Sequence, residues 1–429
     1  MMFDLVVGFI ILPIFIGVGA FIEWLLKKHE TSSTSVIWNI SVWMLIGGGI
    51  TTLAQAVLTV VGVPLSYSLV IAGVTAVIGF WKQRYFFHIH KPTFHQLWFW
   101  MITFAFCAVL FTRSFSRVMY TWDSIAFWVP KMVALSESQL VNTHTLEPFN
   151  HPEYPLLLPI SGADAMIIAQ KPNETAAKVV FFGYSLAFVG MFGVFLLKYN
   201  TPWKALFWMF LLLSSFIVRE HIAGEYAGTA DILVGTYMAG GAIASLSGQP
   251  IIGLLLWMML PWAKSEGLVF TLAVSGLLFL WNKPLRPWIV GFGIVLIGSW
   301  RAIVKWMGVD SSQYFKLNEI YARPWIAYAT YSVHAFREEF RNIQKWNFIF
   351  YVFLAQTIRS FSAIWKNKWV MTIYLGLLAQ IVMYIVICTI TPEEQASFIA
   401  AAISRLALHL APIAVVMASY LHAKKHQST

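Results

Sequence analysis

An all-α polytopic membrane protein, with about 11–13 transmembrane helices, is the fold class this sequence predicts. Three observations predict it. Of the 429 residues 59% are hydrophobic and only 11% charged, against about 25% charged in an ordinary soluble domain. The mean hydropathy is +0.70. Apolar runs recur along the whole chain, and each is near the roughly 20 residues needed to cross a bilayer.

The runs lie near residues 5–26, 37–61, 65–81, 96–112, 177–197, 203–218, 231–246, 250–263, 266–281, 287–304, 346–364, 369–391 and 398–421. The first is expected to be a retained span and not a cleaved leader, because Lys27-Lys28 follow it instead of preceding it. The run 155–170 holds Pro155, Pro159, Gly162 and Asp164 and reads as a partly buried helix that does not cross. No strong internal repeat, low-complexity tract or appended soluble domain is expected. Cys107 and Cys388 sit in apolar runs and read as small core residues, not as a disulfide or a reactive pair.

The chain is basic, with 29 Lys and Arg against 19 Asp and Glu. The cations are scattered among apolar runs, which argues against nucleic-acid binding. Two readings remain. Cytoplasmic loops collect Lys and Arg, and an anionic lipid substrate needs cationic partners. Lys27-Lys28, Lys82/Arg84/Lys91, Lys198/Lys204, Lys283/Arg286, Lys366/Lys368 and Lys424-Lys425 all fall on one side if the thirteen runs cross. That side is then cytoplasmic. Loops 113–154 and 305–345, and the turns near Glu220–Asp231 and Lys264–Glu266, face outward together.

Those outward segments carry the chemistry. Asp123 stands in Trp122-Asp123-Ser124-Ile125-Ala126-Phe127-Trp128. Ile125, Trp128, Met132 and Leu135 recur at helical spacing with Asp123 and Lys131 off that stripe, as in a short amphipathic helix lying in the interface. Such a helix holds a carboxylate at headgroup depth, where it can serve as a general base; an ordinary loop acid is the plainer alternative. His151-Pro152-Glu153-Tyr154-Pro155 is stiffened by its prolines and fits either a substrate-contacting segment or a helix-entry turn. His151 with nearby acids matches no zinc spacing. Glu225 and Asp231 form a second acidic cluster, in which Asp231 reads as a helix cap or as a second functional acid. Lys264 and Glu266 interrupt a long apolar stretch, where charges are costly and are functional suspects; they either cap a tight turn or meet a phosphate. Arg405 and His409, four apart in the last apolar helix, share one face. They fit an anion site or a structural pairing with an acid such as Asp164. The loop 305–345 is rich in aromatic and basic residues, among them Tyr314, Tyr321, Arg323, Tyr331, Arg337 and Arg341. These fit an interfacial belt or a substrate lid.

Trp-Asp-x-x-x-x-Trp followed by His-Pro-Glu-Tyr-Pro, then Glu-Tyr-Ala-x-x-x-Asp, Lys-x-Glu-Gly and Arg-x-x-x-His-x-x-Pro, resembles bacterial members of the GT-C superfamily of membrane glycosyltransferases. These are related to the protein O-mannosyltransferases and the aminoarabinose transferases. The resemblance covers roughly residues 96–421, by motif order and topology. It implies three N-terminal helices over 1–92, a GT-C-like catalytic core over 93–345 with outer loops 113–154 and 305–345, and C-terminal transmembrane helices over 346–429. It implies a polyprenyl-phosphate-linked or diphosphate-linked sugar donor, a glycan, lipid or protein acceptor, and transfer at the outer face of a bacterial cytoplasmic (inner) membrane. Asp123 takes the base or acceptor-orienting role and Asp231 a supporting role, with a divalent metal left open. Lys264 and Arg405 match positions that meet the donor phosphate. The chain departs from many relatives at Ser124, where a second acid is common, and at Ala263, where Thr is common.

The expected reaction is inverting, with Asp123 as base and the cations on the leaving phosphate. Trp122, Lys131, His151, Glu153, Tyr154, Glu225, Glu266 and His409 are expected to contact substrate. A transporter or flippase of lipid-linked saccharides is the alternative, and a non-catalytic assembly factor is a third.

Overall fold

The computed structural model describes residues 2–26, 35–84, 92–149, 151–308, 324–391 and 394–427. Of the residues singled out above, Lys27, Lys28, Lys91, Tyr314, Tyr321 and Arg323 lie outside that set. The described residues are 85% helical, and no strand occurs among them. This is the expected outcome for so apolar a sequence, since a helix satisfies its own backbone hydrogen bonds in hydrocarbon.

The helices run in order as α1 (Met2–Leu26), α2 (Val36–Val60), α3 (Leu65–Gln83) and α4 (Phe94–Ser116), then a π-helical turn Ser124–Trp128 that continues into α5 (Val129–Ser138). They continue as α6 (Thr143–Leu146), α7 (Leu157–Ala169), α8 (Glu174–Tyr199), α9 (Pro202–Leu213), α10 (Phe216–Ala223) and α11 (Asp231–Leu246). Next come α12 (Pro250–Met258), α13 (Leu260–Ala263), α14 (Gly267–Trp281), α15 (Arg286–Phe292) and α16 (Ser299–Trp306). The last are α17 (Trp325–Arg341), α18 (Ile343–Trp346), α19 (Ile349–Arg359), α20 (Phe361–Lys366), α21 (Lys368–Ile390) and α22 (Gln395–Gln427). Side-chain caps open several of them: Ser35 accepts from the Trp38 amide, Thr93 and Gln96 form a capping box, and Asn173 and Asn367 cap α8 and α21.

Among the described residues, eight helices are long and apolar enough to cross a membrane. The count is nine if α9 and α10, bent by 74°, form one span. The protein is therefore an all-α multi-pass membrane protein, with fewer full-length spans than the thirteen apolar runs predict. The difference has local causes. The run 203–218 breaks at Ser214-Ser215, where the chain turns from α9 into α10. The run 346–364 divides at Asn347, whose φ is 53°, and again at Ser360. The stretch 250–281 becomes three short helices around Lys264. At 1.5 Å per residue, a 16-residue helix such as α11 is about 24 Å long, short of about 30 Å of hydrocarbon.

The spans α2, α8 and α22 are the most enclosed, at 78, 89 and 78% buried, whereas α4 is 22% buried and lies at the rim. α11 packs between α12 and α22, and α1 and α2 pack on α8, so helices from residues 1–92 share one core with the rest. α7 does not reach spanning length, as expected, but it is almost wholly buried instead of partly buried, and Asp164 is 0% exposed. The interfacial helix expected at Asp123 takes another form. Pro130 sits in the first turn of α5, where it is tolerated, and Trp128, Met132 and Leu135 point into the core. Lys131, expected off that stripe, is also 0% exposed.

Candidate functional site

Two residues one turn apart on α22 organise the polar interior. Arg405 forms an ion pair with Asp123, which sits just before the π-helical turn. His409 Nε2 is 3.0 Å from Asp231 Oδ1, and its Nδ1 is hydrogen-bonded to the Tyr384 hydroxyl on α21. A carboxylate only accepts, so Nε2 carries the imidazole proton, and Nδ1 then accepts from Tyr384. Gly235, one turn beyond Asp231, brings α11 close enough for this contact. A Cβ there would lie 2.9 Å from Pro412 Cγ and 3.2 Å from the Leu408 carbonyl oxygen.

Lys264 completes the inner cluster. Its Nζ donates to Asp231 Oδ1 at 2.8 Å and lies 3.1 Å from Glu266 Oε1. The turn that presents it is tight. A Cβ on Gly267 would sit 2.7 Å from Leu260 Cβ and 2.8 Å from the Leu260 carbonyl oxygen. Gln380, one turn before Tyr384 on α21, pins the turn by donating to the Glu266 carbonyl at 2.9 Å and accepting from the Phe270 amide at 2.9 Å. Asp231 Oδ2, Glu266 Oε2 and Arg405 Nε are all buried without a hydrogen-bond partner. Buried polar atoms are normally satisfied, so this cluster has hydrogen-bonding capacity left for a polar ligand.

The first loop adds a third group. Lys131 donates to the His151 carbonyl, which also accepts from the Tyr154 amide at 3.0 Å. His151 has a φ of 55°, a left-handed conformation uncommon outside glycine and enriched in Asn, Asp and His. Its ring stacks on Tyr154 at 4.4 Å, and its Nδ1 is 3.3 Å from Glu153 Oε1. The Lys131 ammonium lies 5.8 Å from both the Phe127 and Tyr154 ring centres. Burial lowers the Lys131 pKa to about 7, with Glu153 acting in the opposite direction. Burial raises the Tyr154 phenol well above its ordinary value, and Glu266 is the next largest contributor. That coupling joins the 151–155 segment electrostatically to the Lys264 turn. An open cavity of 490 Å³ flanks the same loop, lined by Met119, Ile125, Val129 and Pro130 with the acids Glu137 and Glu174.

The structure thus brings together Asp123, Asp231, Lys264, Glu266, Arg405 and His409, and sets Lys131, His151, Glu153 and Tyr154 in a second group beside them. It does not bring in Glu225, which pairs with Arg117 at 3.2 Å where both are exposed. Trp122 is 72% exposed. Asp231 is not a helix cap: Ala230 holds that position, and Asp231 spends its buried carboxylate on Lys264 and His409. Asp164 does not serve Arg405 or His409; it bonds Gln55. Lys264 and Arg405 are not bare cations, since each already holds a carboxylate. The described part of the 305–345 loop is mainly α17, packed on α21 and α22, with Arg337 and Arg341 beside Glu338 at its exposed face. Among the described residues no three His, Cys, Asp or Glu side chains form a metal-binding group. Sequence reasoning missed Tyr384 and Gln380. The signal was a polar pair spaced i, i+4 in the otherwise apolar α21. No protein-family model matches the chain, and neither a curated protein nor a solved structure matches it.

Proposed function

We propose that the chain is a membrane glycosyltransferase that moves a sugar from a polyprenyl-phosphate-linked donor to an acceptor hydroxyl, at the outer face of a bacterial cytoplasmic membrane. The observation that carries this reading is the gathering of Asp123, Asp231, Lys264 and Arg405, from four distant segments, around a single turn of α22. The reading also rests on the motif order described above.

Asp123 accepts the proton of the acceptor hydroxyl as its oxygen bonds to the anomeric carbon. The bond from that carbon to the phosphate oxygen breaks on the opposite face, so the product is inverted, and the polyprenyl phosphate leaves with the electron pair. Arg405 and Lys264 stabilise the charge that develops on it. Because Arg405 already holds Asp123, an arriving phosphate competes for the guanidinium and releases the carboxylate to act as base. Asp231 and His409 keep Lys264 oriented. The cavity beside Ile125 and Pro130 offers the acceptor an approach to the first loop.

The test is mass spectrometry of lipid extracts from cells lacking the chain. A polyprenyl-linked saccharide should accumulate, disappear when the parent chain is restored and persist when Asp123→Asn is restored. A saccharide confined to the inner leaflet would assign the chain to translocation instead. An unchanged lipid profile would remove both readings.

A further inference from the structure

Asp164 lies outside the site just described. It is 0% exposed on α7, and Gln55 of α2 donates from Nε2 to its Oδ1 at 2.8 Å. Two atoms of this one pair are left over: Asp164 Oδ2 and Gln55 Oε1 are both buried without a partner. Both are acceptors when the acid is ionised, so a single missing donor explains both.

Among the described residues no cation supplies charge balance. The sequence has five aspartates. Asp4, Asp123 and Asp231 pair with Lys171, Arg405 and Lys264, and among the described residues Asp164 pairs with no cation. Every nearby cation on the elements packed around α7 is engaged elsewhere. Lys131 of α5 donates to the His151 carbonyl, Lys178 of α8 pairs with Glu174, and Lys82 of α3 lies over the Trp24 and Trp81 rings. α1 brings only the acids Asp4 and Glu23, and α2 brings no ionisable side chain. The neighbouring phenol, Tyr184 of α8, is hydrogen-bonded to Ser161 at 3.0 Å. A carboxylate buried with one neutral hydrogen bond and no counter-ion is strongly disfavoured.

We propose that Asp164 is a proton-binding site, held as the neutral acid at neutral pH, with the proton on Oδ2 donated to Gln55 Oε1. The acid and the amide then form a ring of two hydrogen bonds. It clamps α7 to α2 and fixes the helix that follows the His151–Tyr154 segment. This inference is independent of the proposed transfer reaction.

The experiment is infrared spectroscopy of the full chain in lipid nanodiscs at pH 7, with and without isotopically labelled aspartate. A label-sensitive carbonyl stretch of a protonated carboxyl is expected in the parent. It should vanish in Asp164→Asn and shift in Gln55→Leu, which keeps the acid and removes its acceptor. Asp164→Asn retains both hydrogen bonds of the ring through its amide, so its melting temperature should stay near that of the parent, while Asp164→Leu falls below it. Absence of the protonated band in the parent, or a band that survives Asp164→Asn, would overturn the proposal. A loss of stability in Asp164→Asn equal to that in Asp164→Leu would do the same.

Discussion

Arg405 and His409 stand one turn apart on α22 and hold different carboxylates, Asp123 from the first loop and Asp231 from the start of α11. One helix turn therefore sets the relation between two acids that the chain brings from separate regions. The two ends differ in surroundings. The Arg405–Asp123 pair is partly open, while His409 and Asp231 are sealed among Lys264, Tyr384 and the core. The open pair is the one an arriving ligand meets first.

The inner cluster should respond asymmetrically to charge removal. Breaking a buried pair by removing one partner typically costs about 3–5 kcal/mol. Lys264→Met takes the cation from both Asp231 and Glu266, leaving Asp231 only its His409 hydrogen bond, whereas Asp231→Asn leaves Lys264 beside Glu266. Denaturation of the purified variants should therefore place Lys264→Met below Asp231→Asn in stability. The double variant should recover part of the loss. Equal, additive losses would mean that these charges do not interact.

Tyr384→Phe should destabilise the fold by about 1–3 kcal/mol, the cost of leaving a buried acceptor unsatisfied at His409 Nδ1. It should also lower transfer, by loosening the ring that holds Asp231. A variant with the parent's melting temperature and turnover would show that the hydroxyl does not position His409.

Lys131 gives the fold a pH dependence whose sign is set by its lowered pKa. Below about 7 the amine is charged in both states, and the folded chain bears the full desolvation penalty. Between about 7 and the unperturbed 10.5, the unfolded chain binds more protons than the folded one, so stability rises with pH. Above 10.5 the gain is complete. Lys131→Met abolishes this effect, so melting curves of parent and variant should converge as pH rises from 7 towards 10. A constant gap across that range would show that the lysine stays charged in the fold.

Gly267→Ala should disturb the turn that presents Lys264, because the added methyl meets the Leu260 backbone. About 1–3 kcal/mol of destabilisation is expected from such overpacking. Transfer should fall further than stability does, since Lys264 and Glu266 both move with the turn. Retention of parent-like transfer would separate this turn from the reaction.

Much of this site was legible in the sequence because charged residues inside apolar runs are costly and stand out. Lys264 and Arg405 stand out for that reason, and Asp123 and Asp231 because they lie in polar segments that border apolar runs. Their partners do not, since pairing depends on how helices far apart in sequence are packed. Asp164 is only one of the acids the sequence offers as a structural partner for Arg405 and His409, and it bonds Gln55 instead, whose amide barely perturbs an apolar run. Gln380 and Tyr384 escaped notice for the same reason. The span count was too high because window hydropathy does not register a bend at Ser214-Ser215 or a left-handed Asn347. Helical spacing sets Lys131 off the apolar stripe because it shows which residues are apolar and cannot show that the His151–Tyr154 segment covers that side of α5.

The most direct test is single-turnover transfer by Asp123→Asn, reconstituted with the lipid-linked saccharide that accumulates without the chain. The account predicts donor binding like the parent's, with the rate of transfer reduced by about 10²–10⁴-fold. Transfer at the parent's rate from the same bound donor would contradict it.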